Sequence, residues 1–318
     1  MNVITYGKDQ WHHNQGACIT VGTFDGVHCG HQGVIDLMCN VARAQQLRVV
    51  VVTFDPHPQI VLARADRDPL LLLTTIEERC EQLAAAGVDD VVILPFTREF
   101  ASTSAEDFVH SLTSMINVQH FFIGHDHAFG RDRGGNEELL QRMGAELGFA
   151  VSKIPPLVTT GVVVSSTLVR TAIKNGRVEE ASEMLGRPYS VRGQIVRGDG
   201  RGRQLGFPTA NVVPADPHKL LPASGVYVVS MMLNGAEYYG MANIGVRPTF
   251  TSDTVPTLEV HLLDFDNDIY DSTVDVRFHM RLREERKFGS REEFLTQIEQ
   301  DKQQTIINQH IIQERRNT

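Results

Sequence analysis

The stretch Val21–Gln32, VGTFDGVHCGHQ, decides the reading of the first half of the chain. It closes a short apolar run, breaks at Gly26, and sets His28 and His31 three residues apart in an HxGH spacing where a strand turns into a helix. Two imidazoles so placed can hydrogen-bond the oxygens of a nucleotide phosphate while the helix N-terminus adds N–H donors. That arrangement stabilises nucleotidyl transfer without a covalent nucleophile. The motif is short, and a turn with two surface histidines has the same spelling, so the surrounding segments must decide.

Outward from this turn, short apolar strands alternate with helical patterns. Strands are expected at 17–22, 48–54, 88–94, 120–124 and 149–154. Helices are expected at 32–46, 76–86, from an N-cap at Ser104 to Ile116, and at 137–147. This alternation predicts a Rossmann-type α/β domain with a parallel sheet covered on both faces. Ligands of such sheets bind beyond the carboxyl ends of the strands. The HxGH turn, Asp55 and the segment after Gly124 all follow strands, so they should converge there.

After Gly186 the texture becomes rich in Gly, Pro and β-formers, in runs such as VRGQIVRG, GVYVVSMMLNG and STVDVRFHMRL. Asn234-Gly235 marks a tight hairpin. An all-β barrel is expected, followed by a helix from about Ser290 and a frayed tail, QERRNT. The domains are placed at 1–185 and 186–318.

The chain has 318 residues, a formal charge of −9 and 42% hydrophobic residues. An acidic balance disfavours nonspecific nucleic-acid binding but leaves room for a small anion held by a local cluster such as Arg197, Arg201 and Arg203. No apolar run suits a membrane span, and no secretory signal is read in the first residues. Cys18, Cys29, Cys39 and Cys80 form no CxxC pair, so reduced thiols and a cytoplasmic location are expected, without zinc.

Further segments fit the same site. TFDPHP (53–58) leaves a strand and is stiffened by two prolines. GHDHAFG (124–130) offers Asp126, and RDRGGN (131–136) carries two arginines. In SSTLVR (165–170) a serine can cap a helix with Arg170 one turn in.

With GTFDGVHCGHQ, TFDPHP, GHDHAFG and SSTLVR in this order, the chain resembles the bacterial bifunctional riboflavin kinase/FMN adenylyltransferases, also called FAD synthetases. The resemblance runs nearly end to end, through GDGRGRQLGFPTANV (198–212), NIGVRPTF, LEVHLLDF and RLREERKF. It implies a nucleotidyltransferase-like first domain and a riboflavin-kinase barrel. It implies ATP contacts at Gly22, Phe24, Asp25, Gly26, His28, His31, Ser166, Thr167, Arg170, Gly202, Gly206, Thr209 and Asn211. It implies flavin contacts at Phe54, Pro56, His57, Pro58, Asp126 and Arg283, and Mg²⁺ on the oxygens of Thr209 and Asn211. Glu259 aligns with the catalytic glutamate of the kinase, while His28 and His31 serve the adenylyl step. The remaining charges of RLREERKF read as a solvated, partly paired edge. Two departures stand out: His127 replaces a usual aromatic, and IYD (269–271) stands where YG is usual.

The implied partners are riboflavin, FMN, FAD and ATP; the oligomeric state is not read. Alternatives are a flavin-binding regulator without catalysis, and a kinase with an impaired adenylyltransferase domain. A cytidylyl- or pantetheine-phosphate adenylyltransferase would share HxGH but lack GFPTAN. A class I aminoacyl-tRNA synthetase fragment would bring a KMSKS-like stretch, which is absent.

Overall fold

Val-rich runs buried on both faces build the centre of the first unit. In the computed structural model, strand β2 (Ala17–Val21) is buried at every residue, and β3 (Arg48–Asp55) is buried from Val49 to Thr53. The structure describes residues 1–11, 13–63, 68–124, 129–131, 134–155, 158–159, 162–198, 202, 206–247 and 255–316. With β1 (Asn2–Thr5), β4 (Asp90–Pro95), β5 (Val118–Gly124) and β6 (Ala150–Ile154), these strands form a parallel sheet of order β1-β4-β3-β2-β5-β6. The expected parallel α/β sheet is therefore present. The edge strand β1 is an addition that its short, half-exposed sequence did not announce.

Helices cover both faces. On one, α1 (Cys29–Gln45) and α3 (Ile76–Ala85) bury Ile35, Met38, Cys80 and Leu83 against Cys18, Val49, Val51 and Val91. On the other, α4 (Ala105–Met115) and α5 (Glu137–Leu147) bury Phe108, Leu112 and Leu140 against Ile19, Val50, Val52 and Phe121. A one-turn helix, α2 (Pro58–Val61), follows β3. The chain runs from β2 through α1 to β3 and β4, then returns to β5 on the other side of β2. The strand order thus reverses between β2 and β5, where parallel sheets open a crevice.

Two compact units divide at Ser166/Thr167. Beyond the short pair β7 (Val158–Thr159) and β8 (Val162–Val163), α6 (Ser166–Lys174) begins at the junction, and α7 (Val178–Leu185) packs on strands of the second unit. That unit is a closed antiparallel barrel: β9 (Tyr189–Val196), β10 (Ala210–Pro214), β11 (Gly225–Leu233), β12 (Ala236–Arg247), β13 (Val255–Leu262) and β14 (Thr273–Arg283). The order is β10-β13-β12-β11-β14-β9, with β9 pairing back to β10. Asn234 and Gly235, at φ 50° and 81°, make the tight turn between β11 and β12 that their sequence predicts. The last helix, α8, is Arg291–Arg316. It carries Gln313–Arg316 in helix where a frayed tail was expected, and Asn317 and Thr318 lie outside the described residues. Neither glycine nor proline interrupts 291–316, and Glu292 and Glu293 suit its first turn.

Helix α3 is fixed at its start by a full capping box, in which Thr75 and Glu78 satisfy each other's backbone N–H. Thr75→Ala should cost the first unit about 1 kcal/mol. Urea unfolding followed by Trp11 checks this: it is the sole tryptophan, it donates to the His13 carbonyl at 3.0 Å, and it packs on the core of this unit. An unchanged midpoint would contradict the capping role.

Candidate functional sites

At the carboxyl end of β2, α1 begins at Cys29, three residues earlier than the pattern suggested. His28 is consequently its N-cap. The His28 Nδ1 accepts from the His31 N–H at 3.4 Å, which assigns the ring proton of neutral His28 to Nε2. The two rings stack with centroids 3.7 Å apart, and Phe24 lies against His31 at 4.9 Å. Burial first, then the neighbouring His28 and Arg79, hold the His31 pKa well below the usual histidine value. Its Nδ1 is buried without a hydrogen-bond partner among the described residues. His31 is thus a neutral ring at physiological pH.

The loop before the helix is strained. Phe24 and Val27 sit at φ 48° and 38°, a region that costs a β-branched residue about 1–3 kcal/mol. Asp25 supplies the restraint. Fully buried, its carboxylate accepts from the Leu73 N–H, the Thr74 N–H at 2.9 Å and the Thr74 hydroxyl at 3.1 Å. Thr74 Oγ1 in turn accepts from the Gly26 N–H at 3.0 Å. Ser166 Oγ donates to the Asp25 carbonyl at 2.9 Å, tying the first residue of α6 to the loop. Gly22, Phe24, Asp25, Gly26, His28, His31 and Ser166 are therefore brought together. Thr167 and Arg170 lie in the opening turns of α6, in the second unit.

At the end of β3, Phe54 packs edge-on against Phe96 at 5.6 Å. The Asp55–Pro56 peptide is cis, and Pro58 opens α2. His57 is buried and caps α2, its Nδ1 accepting from the Gln59 N–H at 3.1 Å. This gives His57 a structural task beside any ligand contact. Asp126, His127, Arg133, Arg201 and Arg203 lie outside the described residues.

The second unit holds a cavity of about 340 Å³ lined by Thr209, Asn243, Glu259, His261, Arg283 and Phe288 among others. Alternation along β13 places Leu258, Val260 and Leu262 in the core and turns Glu259 and His261 to the cavity, as the sequence suggests. Thr209 Oγ1 donates to Glu259 Oε2 at 3.3 Å. Asn211 on β10 and Asn243 on β12 flank Glu259 in register, on either side of β13. A Cβ at Gly198 would fall 2.2 Å from Asn211 Nδ2, so a larger residue there would have to displace that amide. Gly202 also lines the cavity, whereas Gly206 is exposed at φ 85°.

His261 Nδ1 donates to the Pro208 carbonyl at 2.8 Å, bracing the PTA turn. Burial, with help from Lys302, lowers its pKa against the opposing pull of that bond. Arg283 lines the cavity, but its fork is engaged by Asp301 of α8 at 3.0 and 2.7 Å and its Nη1 by the Glu284 carbonyl at 3.0 Å. Glu285 and Arg286 line the cavity as well, so RLREERKF is more than a solvated edge. Asp271, the departure from YG, adopts φ 61°, the conformation a glycine takes without cost.

Sequence reasoning missed Asn243, whose place opposite Glu259 needs the strand register, and Arg79. The latter is 1% exposed in α3. Its signal was its phase: it shares a helix face with Ile76, Cys80 and Leu83.

Comparison with known proteins covers both units. The family model described as FAD synthetase matches residues 10–168, and that described as riboflavin kinase matches 185–307. Bifunctional riboflavin kinase/FMN adenylyltransferases from Listeria monocytogenes and Bacillus subtilis are each 37% identical, covering 90% and 91% of this chain and the same shares of their own. That of Escherichia coli K12 is 37% identical over 90% of this chain and 91% of its own. A crystal structure described as a macrolide-efflux protein from Streptococcus pneumoniae superposes with a TM-score of 0.86 at 33% identity, covering 95% of this chain and 97% of that one. With both halves matched in order and relatives aligned over nine-tenths of its length, the chain belongs to the bifunctional riboflavin kinase/FMN adenylyltransferase family.

Proposed function

We propose that residues 186–318 phosphorylate riboflavin with Glu259 as base, and that residues 1–185 adenylylate the FMN so formed around His28 and His31. One contrast carries this reading. The cavity of the barrel presents a carboxylate, Glu259, beside a hydroxyl and amides, whereas the carboxylate of the histidine turn, Asp25, is fully buried and committed to three donors. The two transfers differ in that respect.

In the kinase step the primary hydroxyl of the ribityl chain attacks the γ-phosphorus of ATP. An alcohol must lose its proton as the P–O bond forms, and Glu259 receives it. FMN and ADP result. Thr209 and Asn211 offer hydroxyl and amide oxygens, the hard ligands Mg²⁺ prefers, next to the Glu259 carboxylate. When bound, Mg²⁺ neutralises charge on the ATP phosphates. Among the described residues no group of three or more His, Cys, Asp or Glu could hold a metal. Thr209 Oγ1 can offer its lone pair to Mg²⁺ while its own hydroxyl proton points to Glu259 Oε2.

In the adenylyl step a phosphate oxygen of FMN attacks the α-phosphorus of a second ATP, and pyrophosphate leaves. The attacking monoester is already mostly dianionic, its second pKa being near ~6, so no base is needed. The difficulty is bringing two anions together. The N–H groups at the start of α1, His28 Nε2–H and His31 meet it in this reading. A neutral His31 suits the task, because it sets no second cation against the stacked His28 ring. The four cysteines are free, which accords with a reducing cytoplasm. Among the described residues no helix is long and apolar enough to cross a membrane.

The test is chromatographic separation of flavins over time after mixing protein with riboflavin, ATP and Mg²⁺. FMN should appear first and FAD after it; FMN alone would favour the kinase with an impaired partner, and neither product the binding regulator. His31→Ala should lower adenylylation on the order of 10²–10³-fold while riboflavin phosphorylation persists.

The converse holds for the barrel. Glu259→Gln should lower phosphorylation about 10²–10⁴-fold and leave adenylylation of supplied FMN intact. Equal loss of both activities in either variant would contradict separate sites.

A further inference from the structure

Arg79 is a buried cation that neither proposed reaction uses. At 1% exposure it stands among the least accessible side chains of the chain, and among the described residues no carboxylate comes within ion-pairing distance of it. An unpaired guanidinium in such a place is expensive unless its surroundings answer it. Two bonds do so in part. Arg79 Nη1 donates to Thr53 Oγ1 at 3.2 Å and to the Phe54 carbonyl at 3.1 Å, while its Nε has no partner among the described residues. Thr53 passes the connection on, its hydroxyl donating to the Thr23 carbonyl at 3.1 Å. Arg79 thus reaches, through one side chain, the backbone of the loop that carries His28 and His31.

We propose that Arg79 is a positioning residue for adenylyl transfer: from beneath the sheet ends it ties the terminus of β3 to the Gly22–His28 loop and keeps positive potential behind the histidine pair. Helix α3 then grips this loop twice. The segment that leads into it binds Asp25 through Leu73 and Thr74, and its second turn binds Thr53 and Phe54 through Arg79. The charge has a second consequence. The charged and titratable groups acting on His31 are His28, on its own turn, and Arg79, on α3. Both oppose its protonation, as does burial. Protonation would also put an N–H on Nδ1, which is buried without an acceptor among the described residues. Burial lowers the Arg79 pKa below the usual guanidinium value, while Asp25 on the loop, Asp55 at the end of β3, and Cys80 and Glu77 on α3 favour its charged form.

This inference rests on the histidine turn being the adenylyl-transfer site, and the experiment separates the two. Arg79→Met and Arg79→Lys are compared with His31→Ala, reading kcat and KM for FMN adenylylation, the titration of His31 by ring NMR, and folding of the unit by Trp11 fluorescence. Arg79→Met should lower kcat about 10- to 100-fold with a smaller change in KM for ATP. It should raise the His31 pKa, because a neighbouring cation is gone. Neutral His31 is then lost as pH falls through that raised value, so the acid limb of the kcat profile moves to higher pH. Arg79→Lys keeps the charge and should leave the titration and acid limb close to those of the parent, with an intermediate kcat. If Arg79→Met leaves both kcat and the His31 titration unchanged, or lowers kcat only as far as it unfolds the unit, the positioning role is wrong. If His31→Ala retains adenylylation, the site assignment fails instead.

Discussion

A carboxylate with no access to water shapes the first unit. Asp25 lies at the end of a fully buried strand, and leaving its charge there without partners would cost several kcal/mol. Its donors come from Leu73 and Thr74, forty-eight and forty-nine residues away, so the loop after β2 can close only when the segment leading into α3 is in place. That closure forces Phe24 and Val27 into positive φ and turns the chain sharply enough for His28 to cap α1. Strain in the loop and hydrogen bonds to Asp25 are two sides of one device: the first would relax the turn if the second were lost.

The barrel solves a different problem by different means. Its polar residues stand on strands, where register decides who faces whom. Asn211, Glu259 and Asn243 form a row across β10, β13 and β12 because two neighbouring antiparallel pairings agree. Closure by β9 on β10 leaves no free edge along which that row could slip. Then α8 brings Asp301 onto Arg283 at the same cavity, so an arginine at the end of β14 is held by a carboxylate 18 residues further along the chain. Phe294 and Ile298, from the same helix, line the cavity with it.

Legibility followed the physics of each element. Strands β2 and β3 were readable because burial on both faces leaves runs of Val and Ile. The β11–β12 turn was readable because Asn-Gly is one of the few pairs at ease with two positive φ values. The start of α1 was misjudged because its N-cap is a histidine, outside the usual Ser, Thr, Asp and Asn, and no acidic residue marks its first turn. Arg79 escaped notice because IEERCEQL reads as a charged, solvated helix. Only its spacing from Ile76 and Leu83 betrays that this charge points inward. Asn243 and the cavity face of Glu285 and Arg286 depend on contacts between residues far apart in sequence, which no local pattern encodes.

On the proposed assignment, the contrast between the sites follows from their nucleophiles. An alcohol carries a proton that must go somewhere, so a phosphorylating site benefits from a carboxylate within reach. A phosphate monoester arrives without that proton, and a nearby carboxylate would only repel it. A parallel sheet is well suited to the second case: it delivers helix N-termini and neutral rings at its strand ends, and it can hide an acid such as Asp25 beneath them. A barrel suits the first, since alternation along a strand such as β13 exposes one acid to the cavity while the residues on either side of it build the core. Two chemistries that share ATP thus make opposite demands on local charge, and a single pocket meeting both would have to offer and withhold a carboxylate at once. Placing them on separate units removes the conflict.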